Sequence, residues 1–157
     1  MPAPLYTQTV VAFLWDFDRT LIGDNMQGPI FDEYGVDPGR FWQEVDGLVD
    51  FHRSHGELIS RDTAYLLHML TNVENVVFAE LTNAKLRELG GKLEPCPGMP
   101  EFLEDTHRLI REVPEDAAAG ITVEHYIVST GLRPMIEGSS FYPHIDGVWA
   151  NAFVEYA

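Results

Sequence analysis

The sequence predicts an α/β protein: a parallel sheet interrupted after its first strand by a helical insertion. Three observations carry this. Residues 9–16 form a short apolar run ending on a carboxylate, and residues 24–91 show helical rather than strand periodicity. Residues 121–129 form a second apolar run, which closes on Ser129, Thr130 and Gly131. Apolar runs of this length bounded by turn residues suit buried strands of a parallel sheet. Parallel strands also need a long crossover between them, which the insert supplies.

The elements follow in order. The first strand covers 9–16. The pattern turns helical after Gly23, and Asp37-Pro38-Gly39 marks a turn that opens a helix over Gly39–His55. Ser60 caps a helix over Ser60–Leu70, and Thr82 caps one over Asn83–Leu89, with Gly90 as its stop. Pro97 precedes a helix over Gly98–Val113, where Phe102, Leu103, Leu109 and Ile110 recur at helical spacing. Strand 121–129, a short helix after Pro134 and a last strand over Val148–Val154 complete the chain. The expected organisation is a core of 1–23 and 93–157 with a helical cap of 24–92.

Composition narrows the function classes. At 157 residues and 45% hydrophobic content the chain can bury a core of its own. Ten basic residues against 25 acidic ones give a net charge of −15, a surface that repels nucleic acid and anionic membrane. It repels an anionic phosphate substrate too, which calls for a metal at any phosphate site. Cys96 is the single cysteine, so no intramolecular disulfide forms and a reducing cytoplasm is the expected location. The apolar run Val10–Trp15 is too short to span a bilayer and has no basic segment before it.

The first strand ends in Asp16-Phe17-Asp18-Arg19-Thr20. In extended backbone residues two apart project to one side, so Asp16 and Asp18 can converge beyond the strand end, where open α/β sheets place their ligands. Two carboxylates that close repel unless a cation or a shared proton relieves them. Taken alone, the run also fits an acidic turn after a buried strand. Ser129-Thr130-Gly131, a hydroxyl followed by small residues at a strand exit, can cradle phosphate oxygens. Taken alone, it fits a routine Ser/Thr turn.

Together the two segments resemble the haloacid dehalogenase-like (HAD) superfamily, in which Asp-x-Asp-x-Thr is the first motif and a hydroxyl at the second strand end is the second. Pro97-Gly98-Met99-Pro100-Glu101-Phe102-Leu103 is similar to that family's return from cap to core, and the look is closest to the phosphoserine-phosphatase-like branch. The resemblance implies a Rossmann-like core with a C1-type cap and Mg²⁺-dependent hydrolysis of a small phosphorylated metabolite. By that likeness Asp16 is the nucleophile, forming an aspartyl-phosphate, and Asp18 is the acid and base. Mg²⁺ sits on Asp16 and on the main-chain carbonyl of Asp18, Ser129 and the Thr130 N–H hold phosphate oxygens, and Thr20 buttresses the loop. An Asp at position 18 favours a phosphate ester over a halide or phosphonate. A phosphomutase, and a non-catalytic binding or regulatory module on a truncated core, stay open as alternatives.

The family's later motifs, a lysine and an acidic pair, have no counterpart after Ser129. The lysines are Lys85 and Lys92, Arg133 is the last basic residue, and Asp146 stands alone. The expectation is therefore an N-terminal portion of a longer protein, weakly active by itself, whose last strand is an open edge. His52 and His55 read as a solvated helix face, and Phe41, Trp42, Tyr65 and Phe78 as cap packing, with one of the aromatics lining the substrate mouth as the lesser reading. Gly90-Gly91-Lys92 lacks the spacing of a P-loop. Arg19 reads as solvent-facing or cap-contacting, and the stretch Asn25 to Glu33 as a source of specificity groups.

Overall fold

The computed structural model describes residues 9–155. Its sheet has three parallel strands in the order β1-β2-β3: Thr9–Trp15, Ile121–Leu132 and Gly147–Asn151. The insertion between β1 and β2 holds α1 (Gly28–Tyr34), α2 (Pro38–Ser54), α3 (Arg61–Glu74) and α4 (Asn83–Gly90). Then come α5 (Glu101–Glu112) and a short α6 (Pro114–Ala118), while α7 (Arg133–Gly138) and a 3₁₀ turn (Tyr142–His144) connect β2 to β3. The mixed α/β class with a parallel sheet is the one the sequence predicts.

Local chemistry sets the helix ends. Asp37, Ser60 and Thr82 each accept the N–H three residues on, from Arg40, Thr63 and Lys85 respectively. Two elements were absent from the sequence reading, α1 and α6; each is short and opens on proline or a residue next to it, so neither shows a full amphipathic repeat. The last strand stops at Asn151, short of the expected Val154. β2 runs on to Leu132, past the expected end at 129, with an irregular register between Val128 and Leu132.

The alternation along β2 shows which face is covered: Val123, His125 and Ile127 are buried. Helix α5 lies on that side. Phe102 meets Trp15 edge-on with ring centroids 6.1 Å apart, and the Thr106 hydroxyl lies 2.7 Å from His125 Nε2. His125 has no exposed surface, and burial, with the neighbouring His107 second, holds its pKa below the ordinary histidine value. Apolar residues of the insertion, among them Phe31, Phe41, Val45, Met69 and Phe78, join one buried core with Phe17, Ile127 and Leu132.

Two glycines let α4 and α7 approach backbone to backbone. A Cβ at Gly90 would fall 2.1 Å from the Met135 carbonyl oxygen, and one at Gly138 would fall 1.8 Å from that of Arg87. Arg87 and Glu137 close the same contact with an ion pair at 2.5 Å. This seam fixes the end of the insertion against the element that follows β2, and so sets how the insertion stands over the ends of β1 and β2.

Candidate active site

Asp16 and Asp18 leave β1 on a tight loop rather than on extended backbone. The Phe17 carbonyl accepts from the N–H groups of Thr20, Leu21 and Ile22 at 3.3, 3.0 and 3.3 Å. Phe17 itself is fully buried and meets Phe141 with ring centroids 5.8 Å apart. The residue between the two acids is thus the loop's apolar anchor. Arg19 takes a left-handed φ of 59°, a conformation that costs a non-glycine residue about 1 kcal/mol or more.

The two carboxylates have different surroundings. Asp16 is exposed, and its Oδ2 accepts from the Thr20 hydroxyl at 3.2 Å. The contact ties the Thr20 side chain to Asp16. Asp18 is half-buried, and its Oδ1 accepts from the Met26 N–H at 3.0 Å. Burial pushes the Asp18 carboxyl up to about 6; the Met26 N–H opposes this, and the charge of Asp16 adds to it. A carboxyl in that range gains and loses a proton readily near neutral pH.

Met26 joins this loop to the end of β2, because its Sδ accepts the Leu132 N–H at 3.0 Å. The join needs a glycine at 131, where a Cβ would lie 2.3 Å from Met26 Cε and 3.1 Å from Ser129 Oγ. Ser129 Oγ accepts the Gly131 N–H at 2.9 Å, which leaves its own proton to donate elsewhere.

Thr130 is where the insertion meets the strand end. Its carbonyl accepts from the Tyr65 hydroxyl at 3.0 Å and from Asn151 Nδ2 at 2.7 Å, and its hydroxyl donates to Asp62 Oδ1 at 3.3 Å. Tyr65 and Asp62 both come from α3. Burial, then the nearby charge of Asp18, raises the Tyr65 phenol well above its ordinary pKa, so it stays a donor.

Between these elements lies a cleft of about 230 Å³, walled by Asp18, Arg19, Gln27, Trp42, Arg61 and Thr130 among others. The Arg61 guanidinium lies 4.7 Å above the Trp42 ring and donates to Asp46 Oδ1 at 2.7 Å. Gln27 is almost wholly buried, and its Oε1 has no hydrogen-bond partner. A larger hollow of about 500 Å³ lies between α5 and the 3₁₀ turn, walled by Glu104, Arg108, Arg111 and His144, far in sequence from both acids.

The structure therefore sets Asp18, Arg19 and Thr130 around one cleft, with Asp16 and Thr20 bonded together beside it and Ser129 next to Thr130. Met26, Gln27, Tyr65, Asp62 and Asn151 complete the arrangement. Sequence reasoning missed Asp62 and Asn151, since nothing in their spacing separates them from ordinary surface residues, while Met26 and Gln27 fall in the stretch Asn25 to Glu33 that it named. Phe41, Tyr65 and Phe78 are buried in the core with Trp42 packed against it, as the packing reading has it, and Trp42 and Tyr65 also border the cleft. His52 contacts Glu57, and His55 Nδ1 lies 2.8 Å from the Phe51 carbonyl, so both serve the end of α2.

Mg²⁺ takes oxygen donors and commonly needs only one or two carboxylates, with water and phosphate filling its shell. Asp16 and Asp18 suit it in kind. Among the described residues no group of three or more His, Cys, Asp or Glu gathers to hold a metal. No helix among them is long and apolar enough to cross a membrane.

No protein-family model matches the chain. A protein of Borreliella burgdorferi, described as uncharacterized, is 38% identical over 149 residues, a match that takes in 94% of this chain and 51% of that protein. The chain thus spans about half the length of this relative. A solved HAD family hydrolase from Salmonella enterica subsp. enterica serovar Typhi overlays on 91% of this chain and 40% of its own, with a TM-score of 0.49 and 17% identity.

Proposed function

We propose that this chain carries the nucleophile and the acid–base group of a HAD-type phosphohydrolase acting on a small phosphorylated metabolite. The observation that carries the reading is the contrast between the two acids at the end of β1. Asp16 is exposed and oriented by Thr20; Asp18 is half-buried with its pKa pushed up to about 6. Paired titratable groups in unlike surroundings are the usual mark of divided catalytic roles. The motif resemblance supports the same division.

In this mechanism an Asp16 carboxylate oxygen attacks phosphorus. Asp18, in its protonated form, gives a proton to the departing ester oxygen, leaving an aspartyl-phosphate on Asp16. Asp18 then takes a proton from water as the water attacks that phosphoryl group, and both acids return to their first state. Mg²⁺, held by Asp16 and the main-chain carbonyl of Asp18, would supply charge neutralisation between carboxylate and phosphate. Ser129, whose oxygen is turned by the Gly131 N–H, donates to a phosphate oxygen, and the N–H of Thr130 does the same. The insertion, bonded to Thr130 through Tyr65 and Asp62, excludes water and limits substrates to those the cleft can take. The unpartnered Gln27 Oε1 suits a leaving group that brings a hydrogen-bond donor. The phosphoserine-phosphatase-like branch remains part of the proposal only through its motifs, since no residue of the stretch Asn25 to Glu33 matches the acid that binds an amine there.

A phosphomutase would share every step up to the aspartyl-phosphate and differ in what accepts the phosphoryl group. The test is fluoroberyllate, which mimics phosphoryl on a carboxylate. Crystals soaked with it and Mg²⁺ should show it on Asp16. Occupancy elsewhere with Asp16 empty would overturn the aspartyl-phosphate assignment. Phosphatase activity of residues 1–157 on p-nitrophenyl phosphate is expected to fall far below that of an extended protein, because this stretch lacks a late cation. Equal specific activity would show that the stretch is a complete catalytic unit.

A further inference from the structure

Among the side chains of β1, Phe13 and Trp15 alone are partly covered. Both lie against His125. The Phe13 ring stacks on its imidazole with centroids 5.2 Å apart, and the Trp15 indole N–H donates to its Nδ1 at 3.1 Å. His125 has no exposed surface, and the phosphoryl-transfer steps make no use of it. Asp146, just ahead of β3, fixes its main chain: Oδ2 accepts the His125 N–H at 2.7 Å, and the Asp146 N–H donates to the His125 carbonyl at 2.8 Å. The imidazole is thereby presented between β1 and α5.

These bonds fix its tautomer. An indole nitrogen only donates, so Nδ1 is the acceptor and the proton of the neutral ring sits on Nε2. Nε2 lies 2.7 Å from the Thr106 hydroxyl, whose own proton goes to the Leu103 carbonyl at 2.8 Å. Trp15, His125, Thr106 and Leu103 thus form a chain of donors running one way, from β1 through β2 into α5. A proton on Nδ1 would set N–H against N–H and break that chain at Trp15. Burial opposes such a proton first and the His107 ring second, its plane perpendicular to the imidazole at 5.0 Å between centroids, while the Asp146 carboxylate favours it. His107 and Asp146 are the titratable groups that face the ring from α5 and from the start of β3, and β1 offers it the uncharged Phe13 and Trp15. The net effect holds His125 below its ordinary pKa, so the bond to Trp15 is present at neutral pH and lost on acidification.

The two residues that flank Asp16 are therefore both anchored by their side chains, Trp15 through His125 and Phe17 against Phe141. We propose that His125, neutral and protonated on Nε2, is a positioning residue for the nucleophile: it ties Trp15 to α5 and so fixes the main chain from which Asp16 projects. This rests on the reading of Asp16 as nucleophile. The Asp16 carboxylate is exposed and bonded to the Thr20 hydroxyl of its own loop, so its aim depends on the main chain beneath it. A misplacement of about 1 Å costs about a hundredfold in rate.

The test combines nitrogen NMR of isotope-labelled residues 1–157 with fluoroberyllate and Mg²⁺ as a probe of Asp16. At neutral pH the ring shifts should show His125 Nδ1 bare and Nε2 protonated. The Trp15 indole proton should exchange slowly there and quickly once acid protonates His125. A proton on Nδ1 at neutral pH overturns the proposal. Trp15→Phe removes the donor and keeps a ring in place. Thr106→Val is isosteric, lies off β1 and takes away the acceptor that holds the proton on Nε2, so it keeps the test open if Trp15→Phe does not fold. Each should weaken fluoroberyllate binding about tenfold and, in the extended protein, lower kcat about tenfold with KM little changed. A folded variant in which the Trp15–His125 bond is lost and binding and kcat stay at wild-type values overturns the positioning role and leaves Asp16 as nucleophile. A wild-type chain that takes no fluoroberyllate on Asp16 overturns the nucleophile reading, and the proposal with it.

Discussion

Replacing Asp18 with asparagine should make the folded chain more stable near neutral pH while removing its chemistry. Burial raises the Asp18 carboxyl from its ordinary 3.8 to about 6, so the folded state holds this proton more tightly than the unfolded one. Protonation therefore favours folding. Its benefit is complete below about pH 4, fades as pH rises toward about 6, and above that the charged carboxylate opposes the fold. A rise of roughly two pH units corresponds to about 3 kcal/mol at most. Water reaching the half-buried side chain trims this to about 1–2 kcal/mol. Asparagine keeps the oxygen that accepts the Met26 N–H and never carries the charge. The assay is urea unfolding of both proteins at pH 4 and pH 7.5, in chelator so that no metal stabilises the native aspartate. Other titrating groups are common to both proteins and cancel. The expected result is equal stability at pH 4 and a gain for Asp18→Asn of about 1–2 kcal/mol at pH 7.5, roughly 2–8 °C in melting temperature. An unchanged or lowered stability at pH 7.5 would refute the account of Asp18 as a carboxyl held against its own charge.

Three further outcomes follow from the site and the seams around it. Asp16→Asn should reduce turnover of the extended protein by several orders of magnitude, since an amide cannot serve as the nucleophile; retention of a tenth of the rate in a steady-state assay would end that assignment. Tyr65→Phe removes the donor from α3 to the Thr130 carbonyl and should cost about 1 kcal/mol in urea unfolding. It should also raise KM more than it lowers kcat, because the insertion is held less firmly over the cleft; unchanged kinetics would show that the contact only packs. Gly138→Ala sets a Cβ against the Arg87 carbonyl oxygen, at 1.8 Å if nothing moves, and should destabilise by about 3 kcal/mol or prevent folding. Wild-type thermal stability in that variant would show that α4 and α7 can separate without loss.

The sequence by itself determined the class of fold and which polar residues stand at the strand ends. Apolar runs at 9–15 and 121–128 marked two strands of a parallel sheet, although β1 stays largely exposed, and side-chain caps at Asp37, Ser60 and Thr82 fixed helix starts by bonds that reach three residues along the chain. Such signals are local, so they are legible without a structure. The short α1 and α6 were not, because too few residues repeat to show a period. What only the tertiary structure decided is everything that joins residues far apart. Thr130 gathers donors from positions 65 and 151, and Met26 links the Asp18 loop to Leu132. Asp18 is half-buried and accepts the Met26 N–H while Asp16 is exposed and accepts the Thr20 hydroxyl, although the sequence sets them two residues apart as like acids. Burial, close backbone approach at Gly90 and Gly138, and the openness of β1 are properties of the packed chain. They arise from contacts between segments whose spacing along the sequence carries no trace of their meeting.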